Sequence, residues 1–385
     1  MPRPGPAEIE IAIFGPGYGE AIALHVGGQW IIVDSCIFQG EDNPAPLRYL
    51  QEIGVDPASE VSWVIATHWH DDHIRGLGRI FEACTSAQVG APSALGSKPF
   101  ASLLGHYRLP TQLQSTGVDE FNRIFREFER RRSAGMPQYP AWIGEQRHLV
   151  ERRIQVDEAI LDIRIMAASP SDEAFERSLV NLARHLPAAP TPGARPTPIG
   201  RVTNLEPNHT AIVLHASIGG ISVLLGSDLE VSASPTDGWN RVTDVLRERG
   251  MSQVVKVPHH GSNTAHHGAM WDELLVPEPI AVITPFRRGR VALPTAEDVA
   301  RIVSATSRAF ITCRPQKLVM KHPEKIVQKM LTDVTTSPLV AQAARGGTVS
   351  LKYDLLAPRP EWAIHLSGGA VPLLDVLESS RRAVA

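Results

Sequence analysis

Between positions 68 and 73 the chain reads His68-Trp69-His70-Asp71-Asp72-His73. Imidazole nitrogens and carboxylate oxygens are the donors that zinc and related divalent ions take, and this stretch is dense in both. No cysteine stands among them, which favours an open, catalytic site over the closed sulfur-rich tetrahedron of a structural zinc. The bland alternative is a solvated polar turn, but nothing structural calls for so many ligands directly after an apolar run. Further along come Asp228, in LLGSDLE, and His259-His260, in VPHHGS. Asp34 closes an earlier apolar run. For Asp228 the bland reading is a turn or a helix N-cap.

The elements that must position these residues can be read from hydrophobic periodicity. Residues 8–14, 21–26 and 29–34 read as strands, the last two joined by a Gly27-Gly28 hairpin. A short helix is expected at 45–53. The continuous apolar run 61–67 suits a buried strand, and it stops at His68. Helical spacing of Ile74, Leu77, Ile80 and Phe81 follows. Residues 117–133 fit an amphipathic helix with Phe121, Ile124, Phe125 and Phe128 on its apolar face, and 187–200 reads as a Pro-rich exposed loop. In the second half, strands are expected at 210–216 and 221–227 around Gly219-Gly220, then at 252–258 and 281–286, with β structure returning at 346–368. Helices are expected at 237–250 and 294–305. Buried β runs followed by helices indicate a layered α/β architecture, whose ligand sites gather at strand ends and loops.

The hexapeptide resembles the H-x-H-x-D-H hallmark of the metallo-β-lactamase superfamily, and Asp34, Asp228 and His260 follow in that superfamily's order. The resemblance covers about 8–290, with a continuation to about 368. The pairing of GSDLE with VVKVPHHGS looks like the lactamase-type domain of ComEC and its free-standing relatives, as does the Asn208-His209-Thr210 entry to a strand. The resemblance implies a four-layered αβ/βα sandwich. It implies one domain over 1–385, with an insertion or elaboration at about 95–200 and a β-rich C-terminal extension at about 346–368. It implies two divalent metal ions, zinc or alternatively manganese. His68 and His70 would hold one; Asp72, His73 and His260 the other; Asp228 would bridge them. A hydroxide between the metals would be the nucleophile, and Asp34 would orient a ligand from behind. The catalytic set is then Asp72, Asp228 and His259, with His259 touching a phosphate or acting as general acid.

The chain departs from the family pattern in two places. A further histidine for the first metal is not evident; His209 is the best-placed substitute, with His215 behind it. Where many ComEC-like chains have Gly-His-Pro, this one reads Val291-Ala292-Leu293-Pro294. Other candidates have plainer readings. His266 and His267 read as surface histidines near a helix start, and Asp71 as exposed or supporting. Ser262 and Thr264 read equally as helix caps or as substrate contacts. Cys36 reads as a small buried residue. Arg287, Arg288 and Arg290 form a solvated basic loop or a phosphate clamp, and Arg130, Arg131 and Arg132 a solvated helix end.

With 38 Lys and Arg against 41 Asp and Glu, net −3, the chain is no basic nucleic-acid coat protein. Three cysteines point to reduced thiols and a cytoplasmic setting. The opening residues lack a basic segment followed by an apolar one, so no signal peptide is expected, and no run reaches the roughly 18 apolar residues of a membrane helix. The expected function is a metal-dependent phosphodiesterase or nuclease acting on nucleic acid or a nucleotide, with no membrane partner. The alternatives are a hydrolase of carboxylic esters, lactones or thioesters, and a non-catalytic metal-binding module of a larger complex.

Overall fold

The computed structural model describes residues 2–16, 19–96, 116–136, 139–169, 174, 176–177, 180, 207–288, 291–315 and 346–382. The expected loop at 187–200 and Arg290 lie outside them. In chain order the first half holds β1 (Glu8–Gly15), β2 (Ala21–Val26), β3 (Gln29–Asp34), α1 (Ala45–Glu52), α2 (Pro57–Glu60), β4 (Val61–Ile65), α3 (Asp71–Ile74), α4 (Leu77–Ala83), β5 (Gln88–Pro92), α5 (Thr116–Ser133) and β6 (Ala141–Ile143). Then come β7 (Gln146–Val156), β8 (Ala159–Ala168), β9 (Val213–Ile218), β10 (Ile221–Leu225), α6 (Gly238–Leu246), β11 (Ser252–Lys256), α7 (Gly268–Glu273), β12 (Leu275–Ile283), β13 (Phe286–Arg288), β14 (Val291–Leu293), α8 (Ala296–Ala305) and β15 (Ala309–Ile311). The chain continues with β16 (Gly347–Asp354), β17 (Trp362–Gly368), β18 (Val371–Pro372) and α9 (Leu373–Arg382).

The strands form two large sheets, β17-β16-β1-β2-β3-β4-β5-β6 and β18-β15-β12-β11-β10-β9-β8-β7, and a small β13-β14 hairpin. Strand alternation explains the layering. On β3, Ile31 and Val33 enter the core between the sheets, while Trp30 and Ile32 face the outer core with Leu50, Phe81 and Phe128. On β10, Val223 and Leu225 point inward and Leu224 outward to Trp239, Val242 and Ile302. Each sheet therefore buries one face on its partner and the other under helices, giving the expected αβ/βα sandwich.

Residues 141–168, inside the stretch expected as an elaboration at 95–200, supply β6 to one sheet and β7 and β8 to the other. β16, expected as part of a C-terminal extension, pairs antiparallel along the whole of β1. Both segments are integral to the sheets. One expectation fails at α5. Arg131 is fully buried rather than a solvated helix end. Its guanidinium donates to the carbonyls of Phe81, Cys84, Thr85 and Ala87 and to Glu127. The end of α4 leaves carbonyls with no intrahelical partner, and Arg131 satisfies them. Thr295 and Asp298 form a reciprocal capping box at the start of α8, so Pro294 precedes the cap.

The parallel pairings β3-β4-β5 and β10-β11-β12-β15 place several strand ends together. Ligands of open α/β sheets bind outside those carboxyl ends. Asp34, Thr67-His68, Asp228, His259-His260 and Thr284 all leave strands on that side.

Candidate metal centre

Six described non-glycine residues have positive φ, and four of them, Asp34, Ser227, His259 and His260, stand at these strand ends. The left-handed region costs such residues about 1–3 kcal/mol each, and strain of this kind collects at functional sites. The turns hold side chains where relaxed backbone would not.

Asp34 is the hub of the first turn. Its carboxylate accepts from Thr67 N (2.8 Å) and Thr67 Oγ1 (2.7 Å), and its Oδ2 lies 2.8 Å from His73 Nδ1. Thr67 Oγ1 in turn stands 3.0 Å from His68 Nδ1. With His73 Nδ1 donating to Asp34, its Nε2 is the nitrogen that a cation would take in exchange for a proton. The same holds across the cleft, where His260 Nδ1 is 3.0 Å from the carbonyl of Thr284. A ring nitrogen fixed by a carboxylate or carbonyl aims the other nitrogen as a ligand.

Those Nε2 atoms converge. His73 Nε2 lies 3.2 Å from Asp228 Oδ2 and 3.7 Å from Asp72 Oδ2; His260 Nε2 lies 3.3 Å from each. A tetrahedron with metal bonds of about 2.0–2.1 Å has edges of about 3.3–3.4 Å; three of these four distances are close to that and the His73–Asp72 one is longer. His73 Nε2, His260 Nε2 and Asp228 Oδ1 are buried and make no well-formed hydrogen bond among the described residues. Beside them His68 Nε2 and His70 Nδ1 are 3.2 Å apart, again near a tetrahedral edge, and the His68 and His73 rings are 4.1 Å apart at their centroids.

Glu20 is a functional residue that the sequence reading missed. It groups with His73, Asp228 and His260 as a possible ligand, which competes with Asp72 for the fourth place. Asp72 faces the Nε2 side of both rings, at 3.7 Å from His73 and 3.3 Å from His260. Glu20 approaches the rings from the Nδ1 side, 4.0 Å from His73 and 3.4 Å from His260. Its oxygens are also engaged: Oε1 lies 2.6 Å from Lys256 Nζ, and Oε2 accepts from Thr284 Oγ1. Glu20 and the fully buried Lys256, which also stands 3.9 Å from Asp228 Oδ1, form an ion pair behind the centre. The signal available beforehand was a lone lysine inside the apolar strand SQVVKVP. Gly19 permits the approach, because a Cβ there would sit 1.8 Å from the Asp72 carbonyl.

Electrostatics divide the histidines. Burial opposes protonation of His73 and His260. The charge of Asp228, with Asp34 and Asp72 at His73 and Asp72 and Glu20 at His260, outweighs it, holding His73 well above its usual range and His260 up at about 10. Burial likewise works against the charged forms of Asp72 and Asp228, yet the facing imidazoles hold both below the usual carboxylate range. His68 and His70 are lowered, by burial first and then by neighbouring rings.

A second cluster lines the rim. His259 Nδ1 is 2.8 Å from Glu230 Oε1 and 3.0 Å from Thr264 Oγ1; Asn208 Nδ2 is 3.4 Å from His259 Nε2. His209 joins it through Glu230 Oε2 at 3.6 Å. His215 does not join the centre: it packs in β9 near Gly250 and Arg249. Ser262 caps a short turn through Thr264 N, while the Thr264 hydroxyl donates to Glu230. His267 caps α7 and contacts Asn240, and His266 packs near Trp271. Asp71 is exposed on α3, and Cys36 is buried. Beside Asp72 and His260 opens a cavity of about 280 Å³, edged by Arg75, Arg287, Arg288 and Phe286.

Residues 14–132 match the Metallo-beta-lactamase superfamily. Among solved structures, the hydrolase AbOPH of the beta lactamase superfamily shares 16% identity over 54% of this chain and 55% of its own, with a TM-score of 0.28. This chain thus spans about half the length of that one. A HARLDQ-motif mutant of a metallo-beta-lactamase from Cronobacter sakazakii shares 15% over 64% and 75%, TM-score 0.31. The subclass B3 metallo-beta-lactamase MEM-A1, from a soil metagenome library, shares 10% over 66% and 78%, TM-score 0.29. No curated protein matches. The fold assignment rests on the sheet topology and the matched segment rather than on these distant likenesses.

Proposed function

From a chain whose sheets have the metallo-β-lactamase fold and whose residues 14–132 match that superfamily, we propose a binuclear metal-dependent hydrolase of phosphodiesters acting on nucleic acid or a nucleotide. The observation that carries the reading is the convergence of His73, His260, Asp72 and Asp228, with donor atoms 3.2–3.7 Å apart, beside a cavity edged by arginines. His68 and His70 would hold one ion; Asp72, His73 and His260 the other; Asp228 would reach both. Zinc suits these nitrogen and oxygen donors, with manganese the alternative. Bound ions would supply charge stabilisation for the transferring phosphoryl group and acidify water. The remaining work falls to the chain. Asp34 and Thr284 fix the tautomers of His73 and His260. His259, whose Nδ1 meets Glu230 and Thr264, would hold or deliver a proton at the departing oxygen. The three cysteines are unpaired, which supports a reducing, cytoplasmic setting. Among the described residues no helix is long and apolar enough to cross a membrane.

The same ions would also polarise the carbonyl of an ester, lactone or thioester. The guanidinium groups at the cavity edge favour phosphate over such neutral groups. A non-catalytic module would bind metal without turnover. The test is hydrolysis of bis(p-nitrophenyl) phosphate and of single- and double-stranded DNA, with zinc or manganese, comparing the wild type with His68→Ala/Asp228→Ala. Metal-dependent cleavage lost in the variant is expected. Metal-loaded protein that cleaves none of these would overturn the phosphodiesterase reading, and turnover of an ester panel would then replace it.

A further inference from the structure

The cavity lining carries two chemically distinct sets of groups. One is Asp72 and His260, members of the ligand set, where the proposed function puts the scissile group. The other is Arg75, after α3, with Arg287 and Arg288 from β13. The lining carries three arginines against two aspartates, Asp71 and the ligand-set Asp72. The small hairpin β13-β14 is paired through Phe286↔Leu293 and Arg288↔Val291. It is tied to the centre at its root, where the Phe286 ring stacks on His260 at 5.0 Å between centroids and 21° between planes. Arg287 and Arg288 follow that stacked residue directly in the chain.

We propose that Arg287 and Arg288, with Arg75, form a subsite for a second phosphate, one nucleotide unit away from the phosphodiester being cleaved. The inference rests on the phosphodiesterase reading and narrows its substrate class. A cavity of about 280 Å³ lies at the small end of ligand sites, which run to about 1,000 Å³. It suits one unstacked nucleotide unit and not the width of a duplex. Arg presents a planar fork that pairs with phosphate oxygens through charge-assisted hydrogen bonds. The substrate is then a single-stranded end or a short nucleotide carrying a terminal phosphate beside its scissile linkage.

The experiment compares a dinucleotide with and without a 5′-terminal phosphate, and bis(p-nitrophenyl) phosphate, on the wild type, Arg287→Gln/Arg288→Gln and Arg287→Lys/Arg288→Lys, each checked for an unchanged melting temperature. The wild type should prefer the phosphorylated dinucleotide by about 10- to 100-fold in kcat/KM, the worth of hydrogen bonds to a charged group. The Gln variant should lose that preference, chiefly through KM, and the Lys variant should keep part of it. No preference in the wild type, or equal losses on all three substrates, would overturn the subsite. If metal-loaded wild type cleaves no phosphodiester, the functional reading fails separately. The subsite then stands or falls on calorimetric binding of the phosphorylated dinucleotide, which it requires to be weakened in the Gln variant.

Discussion

At the Asp72, His73, Asp228 and His260 end of the centre each imidazole faces carboxylates, whereas at the His68 and His70 end the rings face one another. The first end is braced from behind by Asp34, Thr284 and the Glu20–Lys256 pair. At the second, burial and neighbouring rings disfavour positive charge on either histidine. A carboxylate-rich pocket in a buried setting requires a cation; a pair of neutral imidazoles only tolerates one. The two ends should therefore bind metal unequally, the carboxylate end first and tighter.

The largest effect should come from Asp228, proposed to reach both ends. Asp228→Asn keeps the shape and removes the charge that holds His73 and His260. Activity on phosphodiesters should fall about 10³-fold, the upper range for removing one preorganised electrostatic group, with metal content falling as well. A loss under tenfold would mean that Asp228 is not the shared ligand. Next comes the brace. Lys256→Met leaves Glu20 buried without its cation and should destabilise the fold by about 3–5 kcal/mol, as breaking a buried pair does. Adding Glu20→Gln should recover much of the loss in a denaturant titration. Failure of the second change to rescue the first would show that the two residues do not act as a pair.

The inequality of the two ends is tested by metal counting. His68→Ala should retain about one ion per chain after dialysis and His260→Ala less, since supporting and ligating changes typically shift affinity about 10- to 100-fold. Equal retention in the two variants would erase the asymmetry argued above.

Much of this centre was legible in the sequence because its signals are local. Hydrophobic patterning set β1 to β4 and β9 to β11 within a few residues and found only the end of β12, which begins at Leu275 rather than 281; a ligand-dense turn after an apolar strand marks itself. What stayed hidden depends on what the sheets bring together. Glu20, Glu230 and Lys256 are single charged residues whose roles arise only when β2, β10 and β11 end side by side. The β7-β8 hairpin was concealed by its charged outer face, although Leu161, Ile163 and Ile165 alternate with Asp162 and Arg164 at the strand period. The burial of Arg131 could not be read from a run of three arginines, because the carbonyls it meets belong to a distant helix end.

The smallest effect concerns histidines outside the centre, and it sharpens the contrast by its sign. His25 and His215 are buried in β2 and β9, where their rings meet the backbone of Glu8 and Gly250, and burial lowers both to about 4. In the unfolded chain a histidine takes its proton near 6.5. Between about 6.5 and 4 the unfolded state thus binds more protons than the native state, so stability is present above that window and lost as pH falls through it. Each histidine should contribute a slope of about 1.4 kcal/mol per pH unit there. Comparing denaturant midpoints of His215→Gln and wild type from pH 7 to 5 isolates one contribution from the background of carboxylates. The variant should lose about one proton's worth of slope. An unchanged slope would mean that His215 titrates normally, and that burial alone does not separate these histidines from those of the centre.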